Sequence, residues 1–259
     1  MNVFDQVKRP EDGSVWITGA SGGIGRALSL ELARRGWTVH ATARSAEKLE
    51  ALAQAAGTGP GRVIPRPADV TDAEAMVRLV AEIEAEGPLA LAILNAGVYL
   101  PMRAQEFDAA KARQTFDVNL GGVVNALDPA MKAMIARGSG HLAITASVAG
   151  FGGLPQAAAY SATKAGLIAM AESLALDLMD LGVRISVINP GFVDTEATAV
   201  NDFEMPFLMQ PQEAATRIAD GLARPGFEIT FPRRFAWFLR ILNRLPNQLY
   251  FKAWRRLTA

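Results

Sequence analysis

The sequence predicts an α/β fold. One doubly wound domain carries a seven-stranded parallel sheet with helices on both faces, and an amphipathic helical tail follows it. Three observations predict this. Strand-like and helix-like segments alternate along the 259 residues. The strand-like segments are apolar runs without a polar face, as strands covered on both sides must be. A glycine-rich turn, Gly19-Ala20-Ser21-Gly22-Gly23-Ile24-Gly25, joins the first strand to the first helix.

Taken in order, residues 14–18 (Ser-Val-Trp-Ile-Thr) form the first strand. Residues 26–35 follow as a helix, apolar at Ala27, Leu28, Leu30, Leu32 and Ala33 and stopped by Gly36. The second strand is 38–43, and Ser45 then caps a helix to about residue 56. The third strand, 63–68, ends at Asp69. Thr71 is expected to cap a helix to about residue 86, with Glu74 at capping-box spacing. Residues 89–94 are a wholly apolar fourth strand, and 107–118 and 121–137 read as two helices. The fifth strand, 141–145, leads into Ala146-Ser147, and 155–181 is a long helix. The sixth strand, 183–188, ends at Asn189-Pro190-Gly191. Residues 192–210 show no clean period, 211–223 form a helix with proline in its first turn, and 227–231 are the seventh strand. No repeat or linker divides the chain, so one domain is expected over 1–232 with the tail over 233–259.

Composition excludes several kinds of chemistry. There is no cysteine, hence no disulfide, thiol nucleophile or thiolate metal site. The two histidines, His40 and His141, both lie in strand-like runs, which argues against a histidine metal site or a serine-histidine-acid triad. Basic and acidic residues balance at 26 each, without the excess that nucleic acid would call for. The first dozen residues are polar, and no apolar run is long enough to span a bilayer, so cytoplasmic residence is the expectation.

The chemistry centres on Tyr160 and Lys164. Four residues apart on a helix, they share a face. A free phenol titrates near pH 10, too high for proton transfer at neutral pH. A neighbouring ammonium favours the phenolate, so the pair is expected to make an acid/base group from a weak acid. The glycine turn is the second centre. Glycines let the backbone approach a pyrophosphate, and the following helix N-terminus supplies N–H groups and positive dipole. At the end of the second strand stand Ala43 and Arg44, with no carboxylate to repel a 2′-phosphate and a guanidinium to pair with one. NADP(H) is therefore expected over NAD(H).

Together these residues resemble the short-chain dehydrogenase/reductase family, over roughly residues 13–231. The turn holding Gly19, Ser21, Gly23, Ile24 and Gly25 is similar to its cofactor motif. Asp69-Val70 is similar to its adenine contact, Asn95-Ala96-Gly97 to its Asn-Asn-Ala-Gly motif, and Asn119 to its helix asparagine. Ser147, Tyr160 and Lys164 are similar to its catalytic set, and Pro190-Gly191 with Val193 and Thr195 to its nicotinamide-side loop. Two positions depart from the pattern. Leu94 stands where a first asparagine is common, and Gly22 where many NADP-using relatives carry a basic residue, which leaves Arg44 for the phosphate. The resemblance implies a Rossmann-type domain and hydride transfer between a nicotinamide and a carbonyl/alcohol pair. It implies Tyr160 as proton donor, Lys164 on the ribose hydroxyls, Ser147 on the substrate oxygen and Asn119 holding a water that links Lys164 to solvent. It also implies a homo-oligomer. A non-catalytic nucleotide sensor on the same fold and an NAD-dependent alcohol or hydroxysteroid-type dehydrogenase are the alternatives.

The substrate is expected between the segment after Ser147, with Phe151 and Leu154, and the loop after Pro190, with Phe192, Phe203 and Phe207. That lining suits a small but bulky apolar carbonyl compound or alcohol. The tail holds seven of the 26 basic residues and no acidic one, leaving 19 basic against 26 acidic in the first 232. Its apolar side chains form two stripes divided by Pro246, a pattern that lies on a membrane surface, covers a cleft or packs on a partner subunit.

Overall fold

The computed structural model describes residues 3–200 and 205–257. Seven strands form one sheet: β1 (Ser14–Thr18), β2 (Thr38–Ala43), β3 (Arg62–Pro67), β4 (Leu89–Leu94), β5 (Gly140–Thr145), β6 (Val183–Pro190) and β7 (Glu228–Phe231). Their order is β3-β2-β1-β4-β5-β6-β7, and each neighbouring pair is parallel. The chain winds outward from β1 to β3, returns to lay β4 beside β1, and winds the other way. The carboxyl ends of β1 and β4 thus flank the crevice where such sheets bind ligands.

Alternation within β1 divides the core. Val15 and Ile17 face one side with Leu28, Leu32, Leu49, Leu52, Ile218 and Leu222 from α1 (Gly23–Arg34), α2 (Ala46–Ala56) and α7 (Pro211–Leu222). Trp16 faces the other with Met76, Ile83, Leu127, Met134 and Leu167 from α3 (Ala73–Glu86), α5 (Gly122–Arg137) and α6 (Ala158–Leu178). Each large side chain so buried stabilises the fold by about 1.5–3 kcal/mol. Arg184 lies fully buried in β6 and donates to the carbonyls of Gln6, Arg224 and Gly226, tying the N-terminal segment to the turn before β7.

Three local expectations are corrected. The N-cap of α3 is Asp72, whose carboxylate accepts from the Ala75 amide, while Thr71 turns back to Asp69 through both its amide and its hydroxyl. An Asp two residues before Thr offers a local turn that outcompetes the capping box. The helices expected at 107–118 and 121–137 are one rod. After α4 (Ala109–Phe116) a π-helical turn, Asp117–Gly121, carries the chain directly into α5. The helix expected from residue 155 begins at Ala158, because Gln156 takes a positive φ of 61°. The tail forms two helices, α8 (Arg233–Asn243) and α9 (Asn247–Leu257), on either side of Pro246.

Candidate active site

The π turn exists around Asn119, and a π bulge is a common mark of a functional position. Asn119 is fully buried. Its side-chain carbonyl accepts from the Val98 amide at 2.8 Å, and its Nδ2 donates to the Val98 carbonyl at 3.0 Å and to Thr163 Oγ1 at 3.2 Å. Thr163 in turn donates to the Tyr160 carbonyl. The segment after β4 is thereby bound to the first turns of α6. Lys164, also buried, donates from Nζ to the Thr145 carbonyl at the end of β5, 2.8 Å away. Gly97 lies between the two: a Cβ there would stand 3.3 Å from Asn119 Oδ1 and 3.7 Å from Lys164 Nζ.

Ser147 caps the short turn that follows β5, accepting from the Ala149 amide, and its hydroxyl lies close enough to the Tyr160 phenol to favour the phenolate. The structure thus brings Ser147, Tyr160 and Lys164 together, with Asn119 one layer behind. The electrostatics differ from the sequence expectation. Burial pushes the Tyr160 phenol up to about 12, against the Ser147 hydroxyl, which lowers it; the Tyr99 phenol adds to the rise. Lys164 is not among the causes: its ammonium lies 5.6 Å from the Tyr160 ring centre. Burial also draws Lys164 down to about 8. Helical spacing puts the pair on one face, but a cation that is itself desolvated and turned to a carbonyl does little for the phenol.

The glycine turn is closed from above and below. Gly19 takes a φ of 69°, and a Cβ on it would fall 2.8 Å from the Ala96 Cα. A Cβ on Gly25 would fall 2.2 Å from the Gly19 carbonyl oxygen. Thr18 Oγ1 accepts the amides of both Asn95 and Ala96 at 3.0 Å, and Asn95 Nδ2 donates back to Thr18, so the ends of β1 and β4 are clamped across the crevice. The helix α1 starts at Gly22 with no side-chain cap, leaving its first N–H groups for an anion. Ser21 and Ile24 are partly exposed in the same turn. Arg44 is exposed just beyond β2. These features fit a dinucleotide phosphate.

The other candidate cofactor residues line the same end of the sheet. Asp69 binds Thr71 through Oδ1, and Val70 is buried against Gly122, its carbonyl accepting from Asn125. Pro190 closes β6, its carbonyl 3.4 Å from Ser147 Oγ, and Gly191 donates to the Phe231 carbonyl. Val193 is buried, and the Thr195 methyl would meet a Cβ on Gly23 at 2.9 Å, so the loop after β6 reaches the glycine turn.

On the substrate side, Phe151, Leu154 and Phe192 gather around buried Val148, Phe235 and Leu239. The rings of Phe192 and Phe235 are 5.7 Å apart. Phe207 sits outside this cluster, exposed, with its ring 6.2 Å from Phe235. Phe203 lies outside the described residues. One face of α8 therefore covers the very segments expected to meet the substrate. One feature was missed in the sequence, and one was left open among three alternatives. Tyr99, two residues beyond the Asn-Ala-Gly motif, meets the Tyr160 ring edge-on at 5.0 Å. Phe235 and Leu239 bring the tail onto Phe151, Leu154 and Phe192, the segments expected to meet the substrate. The nearness of Tyr99 to that motif was a usable signal; the target of the α8 stripe had none.

A sequence model of the short chain dehydrogenase family matches residues 14–204. An uncharacterized oxidoreductase of Myxococcus xanthus is 43% identical over 93% of this chain and 96% of its own length. Among solved structures, a 3-oxoacyl-[acyl-carrier protein] reductase from Brucella melitensis superposes with a TM-score of 0.73 at 29% identity, over 83% of this chain and 87% of that one. An alcohol dehydrogenase from the archaeon Thermococcus sibiricus, complexed with 5-hydroxy-NADP, gives 0.75 at 26% identity, over 83% and 94%. The doubly wound sheet, the clamped glycine turn and these matches lead to one conclusion: the chain is an NAD(P)-dependent oxidoreductase belonging to the short-chain dehydrogenase/reductase family.

Proposed function

We propose that the protein is an NADP(H)-preferring reductase that converts a bulky apolar carbonyl compound to its alcohol. The nearness of the Ser147 hydroxyl to the Tyr160 phenol carries this reading, because it puts two O–H groups where one substrate oxygen can meet both. Hydride transfer is the chemistry the nicotinamide supplies when bound. The turn from Gly19 to Gly25 and the α1 N-terminus receive the pyrophosphate, and Arg44 pairs with the 2′-phosphate. Asp69 and Val70 flank the adenine. Asn95, Ala96 and Gly97, with Pro190, Gly191, Val193 and Thr195, shape the nicotinamide end. Lys164 has donors beyond the one given to Thr145 and holds the ribose hydroxyls. As the carbonyl carbon gains its hydride, Tyr160 donates its proton to the oxygen and Ser147 stabilises the charge developing there. The phenolate left behind is reprotonated from solvent. Asn119 serves as a positioning residue that fixes α6 against the segment after β4.

Burial holds the Tyr160 phenol up at about 12, so it keeps its proton at neutral pH and is ready to donate in the reducing direction. The related archaeal enzyme with a bound NADP derivative supports the cofactor preference. Phe151, Leu154 and Phe192 form the substrate wall together with α8. Self-association is assigned to α5 and α6, where Val124, Leu176 and, at the α6 C-cap, Met179 are exposed. Mixing the protein with NADPH or NADH and a panel of carbonyl compounds, from polar sugars to fatty and aromatic ketones, tests the reading by absorbance. NADPH-dependent turnover of the apolar members, abolished in Tyr160→Phe, is expected. Tight NADPH binding with no turnover of any member would make the protein a nucleotide sensor instead.

A further inference from the structure

The face of α8 opposite its buried stripe is unusual. Phe235, Ala236, Leu239 and Leu242 turn inward, yet Trp237, Phe238 and Ile241 are left in solvent, Trp237 at 61% exposure. On α9, Leu249 and Phe251 are likewise exposed, Phe251 at 62%, while Tyr250 turns back to donate to the Gly153 carbonyl. Trp237 and Ile241 are one helical turn apart, with Arg234 a turn before Trp237 and Arg244 a turn after Ile241. Arg240 is turned to the body, stacked on Phe151 and paired with Glu228. The six other tail cations, Arg233, Arg234, Arg244, Lys252, Arg255 and Arg256, are exposed, and none forms an ion pair among the described residues.

We propose that the outward sides of α8 and α9 dock this protein onto an anionic lipid surface. Exposed tryptophan and phenylalanine beside unpaired arginines is the composition of a helix lying in a headgroup layer, where rings enter the acyl boundary and guanidinium groups meet phosphates. No helix among the described residues is long and apolar enough to cross a membrane, so the association is peripheral. Charge decides against a second copy of the chain as occupant. A self-complementary contact through this face would set six unpaired cations against six more, with no acidic residue in the tail to relieve them. The exposed apolar side chains decide against nucleic acid, which has no apolar phase to receive Ile241 and Leu249. Because α8 also walls the substrate cleft, docking would place that cleft at the lipid boundary, where an apolar substrate is concentrated.

The test is flotation of the full-length protein with vesicles of phosphatidylcholine alone or mixed with phosphatidylglycerol. Binding to the mixed vesicles should exceed binding to pure phosphatidylcholine by about tenfold and fall with added salt. Trp16 and Trp37 are buried and Trp254 is half-buried, so Trp237 reports the contact. Its emission should shift to the blue and lose acrylamide quenching on mixed vesicles. The double variant Trp237→Ser, Ile241→Ser should lose about tenfold in vesicle affinity with unchanged NADPH binding and melting temperature. Arg255→Glu with Arg256→Glu should lose the preference for phosphatidylglycerol. Equal recovery with and without vesicles would overturn the proposal. So would equal binding to both compositions, concentration-dependent dimers abolished by Trp237→Ser, or tighter binding to duplex DNA than to vesicles. None of these readouts needs turnover, so the docking surface stands or falls apart from the reductase reading.

Discussion

Asn119 and Lys164 are fixed by hydrogen bonds to the carbonyls of Val98 and Thr145, whereas Phe151, Leu154 and Phe192 are fixed by apolar contact with Phe235 and Leu239 of the tail. The first region is a buried polar hub on the parallel sheet, and its geometry is directional. The second is an oily wall with no directional bond at its centre. A hub of this kind tolerates one arrangement, because each missing partner strands a desolvated polar atom. A wall of this kind tolerates many, because apolar side chains of similar volume substitute for one another. Chemistry should therefore reside in the hub and substrate choice in the wall.

The largest expected effect tests the hub. Tyr160→Phe removes one hydroxyl and keeps the ring that meets Tyr99, so kcat/KM should fall about a thousandfold, as loss of a general acid does. NADPH affinity, measured by fluorescence titration, should change little. A variant retaining a tenth of wild-type activity would mean the proton comes from elsewhere. The pH profile adds to this. Lys164 is drawn down to about 8, so kcat/KM for reduction should decline above about pH 8 as its charge is lost, well before the phenol titrates.

Phe235→Ala tests the wall. The side chain is buried between Phe192 and Phe207, and its removal should cost about 3 kcal/mol in urea unfolding. KM for apolar substrates should rise while kcat is largely kept, the reverse of Tyr160→Phe. Equal losses in kcat would show that the wall also sets the geometry of the hub.

The contrast also explains what the sequence disclosed. The hub was legible because its chemistry needs particular residue types at fixed spacing. Asn119, Ser147, Tyr160 and Lys164 could be named only as an ordered set, through the family they resemble, and the strands around them as unbroken apolar runs. Directions of energy were less legible. Tyr160 and Lys164 share a helix face as expected, but burial and the pull of the Thr145 carbonyl reverse the expected shift of the phenol. The wall was only half legible. The stripe in α8 announces that a face is buried, not what buries it, because apolar contact carries no address. Thr71 and Asp72 show the same limit at small scale, as adjacent residues able to cap the same helix.

Arg44 sharpens the contrast from the cofactor end, being directional yet exposed. Arg44→Ala should lower the NADPH-over-NADH ratio of kcat/KM by about tenfold, near the value of one charge-assisted hydrogen bond in solvent. Unlike changes in the hub, this one should weaken as salt is added. An unchanged ratio would move the 2′-phosphate site elsewhere on the glycine turn.

The smallest effect separates the sheet from the wall by acid. His40 lies buried in β2, its Nδ1 accepting from Arg66, and burial lowers its pKa from 6.5 to about 4. His141, fully buried in β5, is lowered well below the ordinary value by burial as well. A histidine neutral in the fold takes up its proton more readily when unfolded. Its contribution is therefore whole above about pH 6.5, lost progressively as pH falls toward 4, and constant below that. For His40 alone the loss at pH 5.5 is about 1.4 kcal/mol. The tail contains neither histidine nor acid, so α8 has nothing of its own to titrate in this window. Urea unfolding at pH 7.5 and 5.5 should show His40→Gln losing less than wild type by about that amount. Hydrogen exchange of α8, corrected for intrinsic rates, should report opening no earlier than the sheet does. If α8 opened first in acid, its grip on the wall would depend on Arg240 and Glu228, the ion pair at its edge, and not on the apolar contacts of Phe235 and Leu239.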